Sequence, residues 1–301
     1  MTRKIITVAF YLAVVGFLIA YGSTLDFETL LSVEINWLPI IMATAVAVAS
    51  RFIFAFIWRM LLSSMGANLT PEQSRQLTLV YSKAWLGRYL PGSATWVIGK
   101  IYFASNLGIS KTKLAVSSLM EAMLQLVIVT ALAAALLIFD PRIAELAQGF
   151  EWLLIVITLL GLIAISPKVF NKLTAASYKI IRKSAISSED LLSNKAVVNA
   201  SGMFFVTSIL NAVSVLLVAV SIDASLVEHS LLILGIASLA SAVSIVVVIA
   251  PAGLGVREGI QIIGLSLITT PELALAITIL VRVMSIIWDL VFYFLTRLVS
   301  K

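Results

Sequence analysis

Apolar residues along this chain run in blocks too long and too continuous for a fold surrounded by water. A helix needs roughly 17–25 apolar residues to cross the hydrocarbon of a bilayer. Six segments meet that length: 5–23, 37–58, 113–139, 152–168, 196–222 and 273–298. Two further apolar regions, 77–108 and 230–272, are interrupted, the first at Leu90-Pro91-Gly92-Ser93 and the second at Pro251-Ala252-Gly253-Leu254-Gly255. Proline removes a helix hydrogen bond and glycine permits a sharp turn, so each region reads as a broken or re-entrant helical hairpin. The pattern predicts an all-α polytopic membrane protein: six full transmembrane helices plus two broken hairpins, about eight hydrophobic segments, in one transmembrane domain over 1–301. Composition agrees, with 61% hydrophobic and 12% charged residues and a mean hydropathy of +1.09.

The polar residues between these blocks give an orientation, because cytoplasmic loops carry the excess of Lys and Arg. Arg3 and Lys4 precede the first apolar run, while 24–36 holds Asp26, Glu28 and Glu34 and no basic residue. Tyr21-Gly22-Ser23-Thr24 is a poor cleavage site, so the first run is expected to be a retained helix that doubles as an insertion signal. The loop 168–195 holds Lys168, Lys172, Lys179, Arg182, Lys183 and Lys195, and the chain ends with Arg297 and Lys301. Both termini and the basic loop are therefore expected in the cytoplasm. With that assignment, 37–139 and 196–298 have opposite topology, and the two broken hairpins enter from opposite faces. Pro91-Gly92-Ser93-Ala94 followed by Gly99 matches Pro251-Ala252-Gly253-Leu254 followed by Gly259, with the same eight-residue spacing from Pro to Gly. Inverted repeats with broken helices at the midplane are a recurring transporter pattern, with the substrate at the repeat interface. Two unrelated Pro-kinked helices are the competing reading.

Candidate chemistry narrows quickly. The chain has no Cys and one His, His229, which excludes disulfides, thiolate chemistry and a His-rich metal site. No metal or other cofactor is expected. Ionisable groups at membrane depth are costly and face a cavity or a partner. The candidates are Arg51, Lys83, Arg88, Lys100, Glu121, Arg257, Glu258, Arg282 and Asp289, whose net charge of +3 suggests an anionic ligand. Arg282 and Asp289 lie two turns apart on one helix face, and a structural ion pair explains them as well as a functional one. Glu121 lies on a Ser117, Glu121, Gln125 face, where it either neutralises Lys100 or Arg257 or is simply a satisfied interior carboxylate. Glu258 follows a Gly-rich turn and either caps a helix or belongs to an anion site at its N-terminus. Lys83 is expected to snorkel toward the headgroups, and Arg51 to pack against an internal acid. Residues 92–101 superficially resemble a phosphate-binding loop. Six residues rather than four separate Gly92 from Gly99, and Ile101 follows the lysine, so ATP hydrolysis is not supported. The small-residue run Gly235 to Ser244 reads as close helix packing, and the basic loop as a topology signal with anionic-headgroup contact.

At these same positions the chain resembles a known family, the transmembrane domain of lysylphosphatidylglycerol synthases and related stand-alone flippase-like proteins. The resemblance rests on Tyr89-Leu90-Pro91-Gly92, Lys100 with Tyr102, Gly108-Ile109-Ser110, Glu121, the stretch from Pro251 through Arg257-Glu258-Gly259, and Arg282. It covers about 37–298. Thr95-Trp96-Val97 replaces a Gly-Gly-acid segment that many members carry, Lys100 stands where Arg is usual, and Ala122 rather than Arg follows Glu121. The family's cytosolic aminoacyl-transfer domain is not expected within these residues. The resemblance implies lipid translocation without synthesis.

The expected function is a lipid transporter or flippase that translocates an anionic lipid or lipid-linked headgroup: a polyprenyl-phosphate carrier, a lipid-linked sugar or a modified phosphatidylglycerol. The expected substrate-binding set is Arg88, Pro91, Gly92, Lys100, Glu121, Pro251, Gly253, Gly255, Arg257, Glu258, Arg282 and Asp289, with no catalytic residue. The alternatives are an intramembrane lipid-processing enzyme, for which no paired carboxylates or placed base are seen, and a scaffold for a cell-envelope enzyme. The expected partner is a membrane lipid with an anionic headgroup, not nucleic acid; a homo-oligomer or a cell-envelope enzyme partner is open. The expected location is a prokaryotic inner (plasma) membrane.

Overall fold

A computed structural model describes residues 34–89, 95–147, 149, 151–183, 187, 191–247 and 255–299. The expected helix 5–23 and both Pro-Gly breaks, with Pro91, Gly92, Pro251 and Gly253, lie outside the described residues. Those residues hold α-helices and 3-10 turns.

Four long helices form the frame: α1 (Trp37–Ser64) and, later, α4 (Lys111–Leu137), α8 (Asn194–Ile222) and α11 (Pro271–Val299). All four are long and apolar enough to cross a membrane, as their uninterrupted apolar runs require. Their starts are written in polar residues. Asn36 accepts a hydrogen bond from the Leu38 amide at 3.1 Å, and Ser193 accepts one from Ala196 at 3.2 Å, each satisfying an amide that the first helical turn leaves free.

Between α1 and α4 lie α2 (Pro71–Leu86), a 3-10 turn (Gly87–Tyr89) and α3 (Thr95–Ser105). Thr70 and Gln73 form a reciprocal capping box at the start of α2, with Pro71 in the first turn. The arms α2 and α3 pack on each other, as a broken hairpin requires. Between α8 and α11 lie a 3-10 turn (Ala224–His229), α9 (Ser230–Val246) and α10 (Val256–Leu265), and α9 packs on α10 in the same way. The second hairpin is unequal. Ala224–Val246 is itself long and apolar enough to cross, whereas α10 has only 10 residues.

Elements of the two halves meet in matched couples. The frame helix α1 packs on α8; α4 packs on α9 as α11 packs on α2; and α3 packs on α4 as α10 packs on α11. Close approach depends on glycine: a Cβ on Gly235 of α9 would stand 2.7 Å from Leu137 of α4.

The expected span 152–168 is met by a bent pair of helices rather than one straight helix. After α5 (Pro141–Ala147), α6 (Glu151–Ala164) stops after 14 residues, about 21 Å of helix at 1.5 Å per residue. Ser166-Pro167 then starts α7 (Pro167–Arg182), bent by 87° from α6. Proline has no amide to continue the ladder and disfavours helical backbone before it.

Large apolar side chains cover the outside, among them Ile41, Phe56, Leu160, Phe205 and Phe294, as a lipid-facing surface requires.

Candidate functional site

Two buried charge clusters stand inside the bundle. In the first, Lys100 of α3 pairs with Glu121 of α4, and both side chains are fully buried. The ammonium also lies over the rings of Trp96, Tyr81 and Trp58, 4.3, 4.5 and 5.1 Å from their centroids, a cation–π cage that compensates lost hydration. The Tyr81 hydroxyl donates to the second carboxylate oxygen of Glu121 at 2.6 Å. Of the two partners open to Glu121, Lys100 is the one it meets, inside one half of the chain. Tyr81→Phe leaves that oxygen without its donor and is expected to destabilise the fold by about 1.5–3 kcal/mol, the range for hydrogen bonds to charged groups. Thermal unfolding in detergent measures it.

The second cluster ties the halves together. Asp289 of α11 is fully buried and accepts from Arg51 Nε of α1 at 2.6 Å, Tyr89 Oη at 2.6 Å and Trp85 Nε1 at 3.2 Å. Arg88 Nε stands 3.7 Å from the same carboxylate. Arg51 also donates to the Ala47 carbonyl at 2.8 Å. Arg51 therefore packs against an internal acid, as its depth suggests, but the expected Arg282–Asp289 pair does not form. Arg282 instead meets Glu258 of α10 at 3.2 Å. Glu258 also accepts from the Gly255 amide at 2.6 Å, so it caps α10. Gly255 has φ of +86°, a conformation that suits glycine at this helix start.

Between the halves lies a cavity of about 350 Å³. Its cationic lining is Arg51, Arg88 and Arg257, and among the described residues no carboxylate lines it. Thr95, Trp96 and Val97, the first turn of α3, form part of the wall, and Arg257 projects from the first turn of α10. Both restarted helices thus reach one cavity. Arg257 is in electrostatic reach of Arg88, Glu258 and Arg282, its Nε has no hydrogen-bond partner, and no ion pair holds it among the described residues. Among the described residues, Arg51, Arg88, Arg257 and Arg282 stand against two carboxylates, Asp289 and Glu258, an excess of two positive charges around this space.

Of the expected site residues, Arg88 and Arg257 line the cavity, while Asp289, Glu258 and Arg282 form the ion pairs beside it. Lys100 and Glu121 do not line it, because they close on each other inside the aromatic cage. Lys83 is exposed. Sequence reading missed the hydroxyls. Ser238, Ser241 and Ser244 of α9 face the cavity with Ser208, Asn211 and Ser285, whereas within the run assigned to close packing Gly235 meets α4. The signal was present, since serines three residues apart share one helix face. Among the described residues no group of three or more metal-ligating side chains comes together.

Compared with families of known proteins, residues 5–292 match the lysylphosphatidylglycerol synthase TM region. Among curated proteins, none matches the chain. The match spans nearly the whole sequence, including both halves that build the cavity. This multi-pass membrane protein therefore belongs to the lysylphosphatidylglycerol synthase transmembrane-region family, a family of lipid handling.

Proposed function

We propose that the protein translocates the anionic headgroup of a membrane lipid between leaflets, without chemical change to the lipid. A polyprenyl phosphate, a lipid-linked sugar or a modified phosphatidylglycerol is the substrate class. The observation that carries this reading is the cavity between the halves, lined among the described residues by Arg51, Arg88 and Arg257 and by no carboxylate. Its volume falls within the range of small-ligand sites. Arginine presents a planar fork suited to phosphate oxygens, and the serine hydroxyls supply further donors. In low-dielectric surroundings an excess of cations is relieved by an anion.

The halves 37–139 and 196–298 act as inverted repeats, and the two broken hairpins rock the cavity from one face to the other. The matched couples of helix contacts support this arrangement. The protein sits in the inner membrane of a prokaryote, with both termini and the lysine-rich 168–195 on the cytoplasmic side.

Reconstitution of the purified protein into liposomes tests the proposal. A labelled phosphatidylglycerol or polyprenyl phosphate is expected to change leaflets at least about tenfold faster than labelled phosphatidylcholine, the ratio for about 1.4 kcal/mol of differential interaction. The lipid is recovered intact. Cleaved lipid would make the protein an enzyme, and no exchange of either lipid would favour a scaffold.

A further inference from the structure

The basic residues after α6 lie on a helix of particular build. Counting 100° per residue, Lys168, Lys172 and Lys179 of α7 fall within an arc of about 40°. Lys183, the C-cap residue with φ of 54°, follows on the same side. All four are exposed, and none forms an ion pair among the described residues. There is no Asp or Glu in α7. Beside this row runs an exposed apolar strip with Leu173 and Ile180, 41% and 79% exposed. A third face, Phe170, Thr174 and Tyr178, is buried against the bundle, where α7 packs on α4 and α8.

The surroundings fix what these faces meet. The preceding helix α6 is apolar and widely exposed at Leu153, Ile155, Leu159, Leu160, Leu162 and Ile163, the surface of a helix immersed in lipid. An 87° bend separates it from α7. A helix that turns by a right angle at the end of a lipid-immersed helix runs along the membrane surface rather than through it. It then has its apolar strip toward the acyl chains and its lysines at headgroup level, where their stems snorkel. Charge decides the headgroups: a row of lysines with no acid among them is complementary to anionic ones.

We infer that α7 is an interfacial helix whose lysine row, Lys168, Lys172, Lys179 and Lys183, gathers anionic phospholipid headgroups around the protein. Nothing in this assignment depends on what the cavity carries.

The chain has no cysteine, so single cysteines carry probes without background. In liposomes, nitroxides on Leu173→Cys and Ile180→Cys are expected to collide with oxygen more than with a water-soluble nickel chelate, and one on Lys172→Cys the reverse. A fluorophore on Ala176→Cys is expected to be quenched by spin-labelled phosphatidylglycerol at a mole fraction about fivefold lower than by spin-labelled phosphatidylcholine, the weight of a single lysine near an anionic surface. The difference should vanish with all four lysines changed to glutamine, persist with all four changed to arginine, and vanish for the unmodified lysines at about 1 M salt, where the screening length falls to about 3 Å. The salt series keeps the test valid if the glutamine variant fails to fold. Nickel reaching the Ile180 label, as on a water-exposed face or one awaiting a protein, overturns the placement. Equal quenching by both lipids at low salt overturns the headgroup recognition.

Discussion

Asp289→Ala is expected to destabilise the folded protein by about 3–5 kcal/mol, the range for removing one partner of a buried ion pair. Asp289 is fully buried and accepts hydrogen bonds from Arg51, Tyr89 and Trp85, so alanine leaves the buried guanidinium of Arg51 facing a void. Arg88 loses the same counter-charge. The loss falls on the contacts that hold α1 and the end of α2 to α11. Asp289→Asn should cost less, because an amide oxygen in the place of Oδ1 still accepts from Arg51 and Trp85. Arg51→Met combined with Asp289→Leu should recover most of the stability, since a buried pair replaced whole by apolar groups is often neutral. Thermal unfolding in detergent reads all three. A double-mutant cycle adds the assignment: strong coupling between Arg51 and Asp289, and near-additivity between Arg282 and Asp289. Coupling of Arg282 with Asp289 as strong as that of Arg51 would restore the pairing suggested by their spacing and contradict the contacts described above.

That spacing shows where the sequence stops informing. The frame helices were legible because a run of some 20 apolar residues has few alternatives to a membrane-spanning helix, and α1, α4, α8 and α11 end within a few residues of the expected limits except where α1 continues to Ser64. That α2 and α3, and α9 and α10, are separate helices was legible because Pro and Gly act on the local backbone. Partnerships were not. Arg282 and Asp289 share a helix face, but two turns separate them by about 10.5 Å along the axis, and each meets whichever neighbour packs at its own level. Arg282 meets α10, and Asp289 meets Arg51, 238 residues away in the sequence. The same limit applies to Lys100. Its charge is visible in sequence, but whether it faces a ligand or a carboxylate depends on the packing of α3 on α4, which delivers it to Glu121. The end of α6 was also missed. Hydropathy continues through Ile165, and only Ser166-Pro167 signals the bend.

Arg257→Ala is expected to slow transport of an anionic lipid by about 10–150-fold, the equivalent of one charge-assisted hydrogen bond of about 1.5–3 kcal/mol, while leaving folded yield and unfolding temperature nearly unchanged. The combination is diagnostic because most buried arginines in this protein cannot be removed so freely. Arg51 and Arg282 each hold a carboxylate, and losing either frees Asp289 or Glu258. Arg257 lines the cavity with its Nε unpartnered, beside Arg88 and Arg282, whose like charges work against it, and Glu258, whose charge works for it. In the empty protein these opposing interactions largely offset, so its removal costs little there and withdraws a donor when an anion is bound. Arg257→Lys keeps the charge without the planar fork and should fall between alanine and the unmodified protein. Phosphatidylcholine exchange, already slow, should change little, so the preference for the anionic lipid shrinks with the rate. Leaflet exchange in liposomes, normalised to folded protein, separates the two roles. If Arg257→Ala lowers folded yield while each folded molecule transports as before, Arg257 belongs to the scaffold, and the cavity's excess charge serves something other than the lipid headgroup.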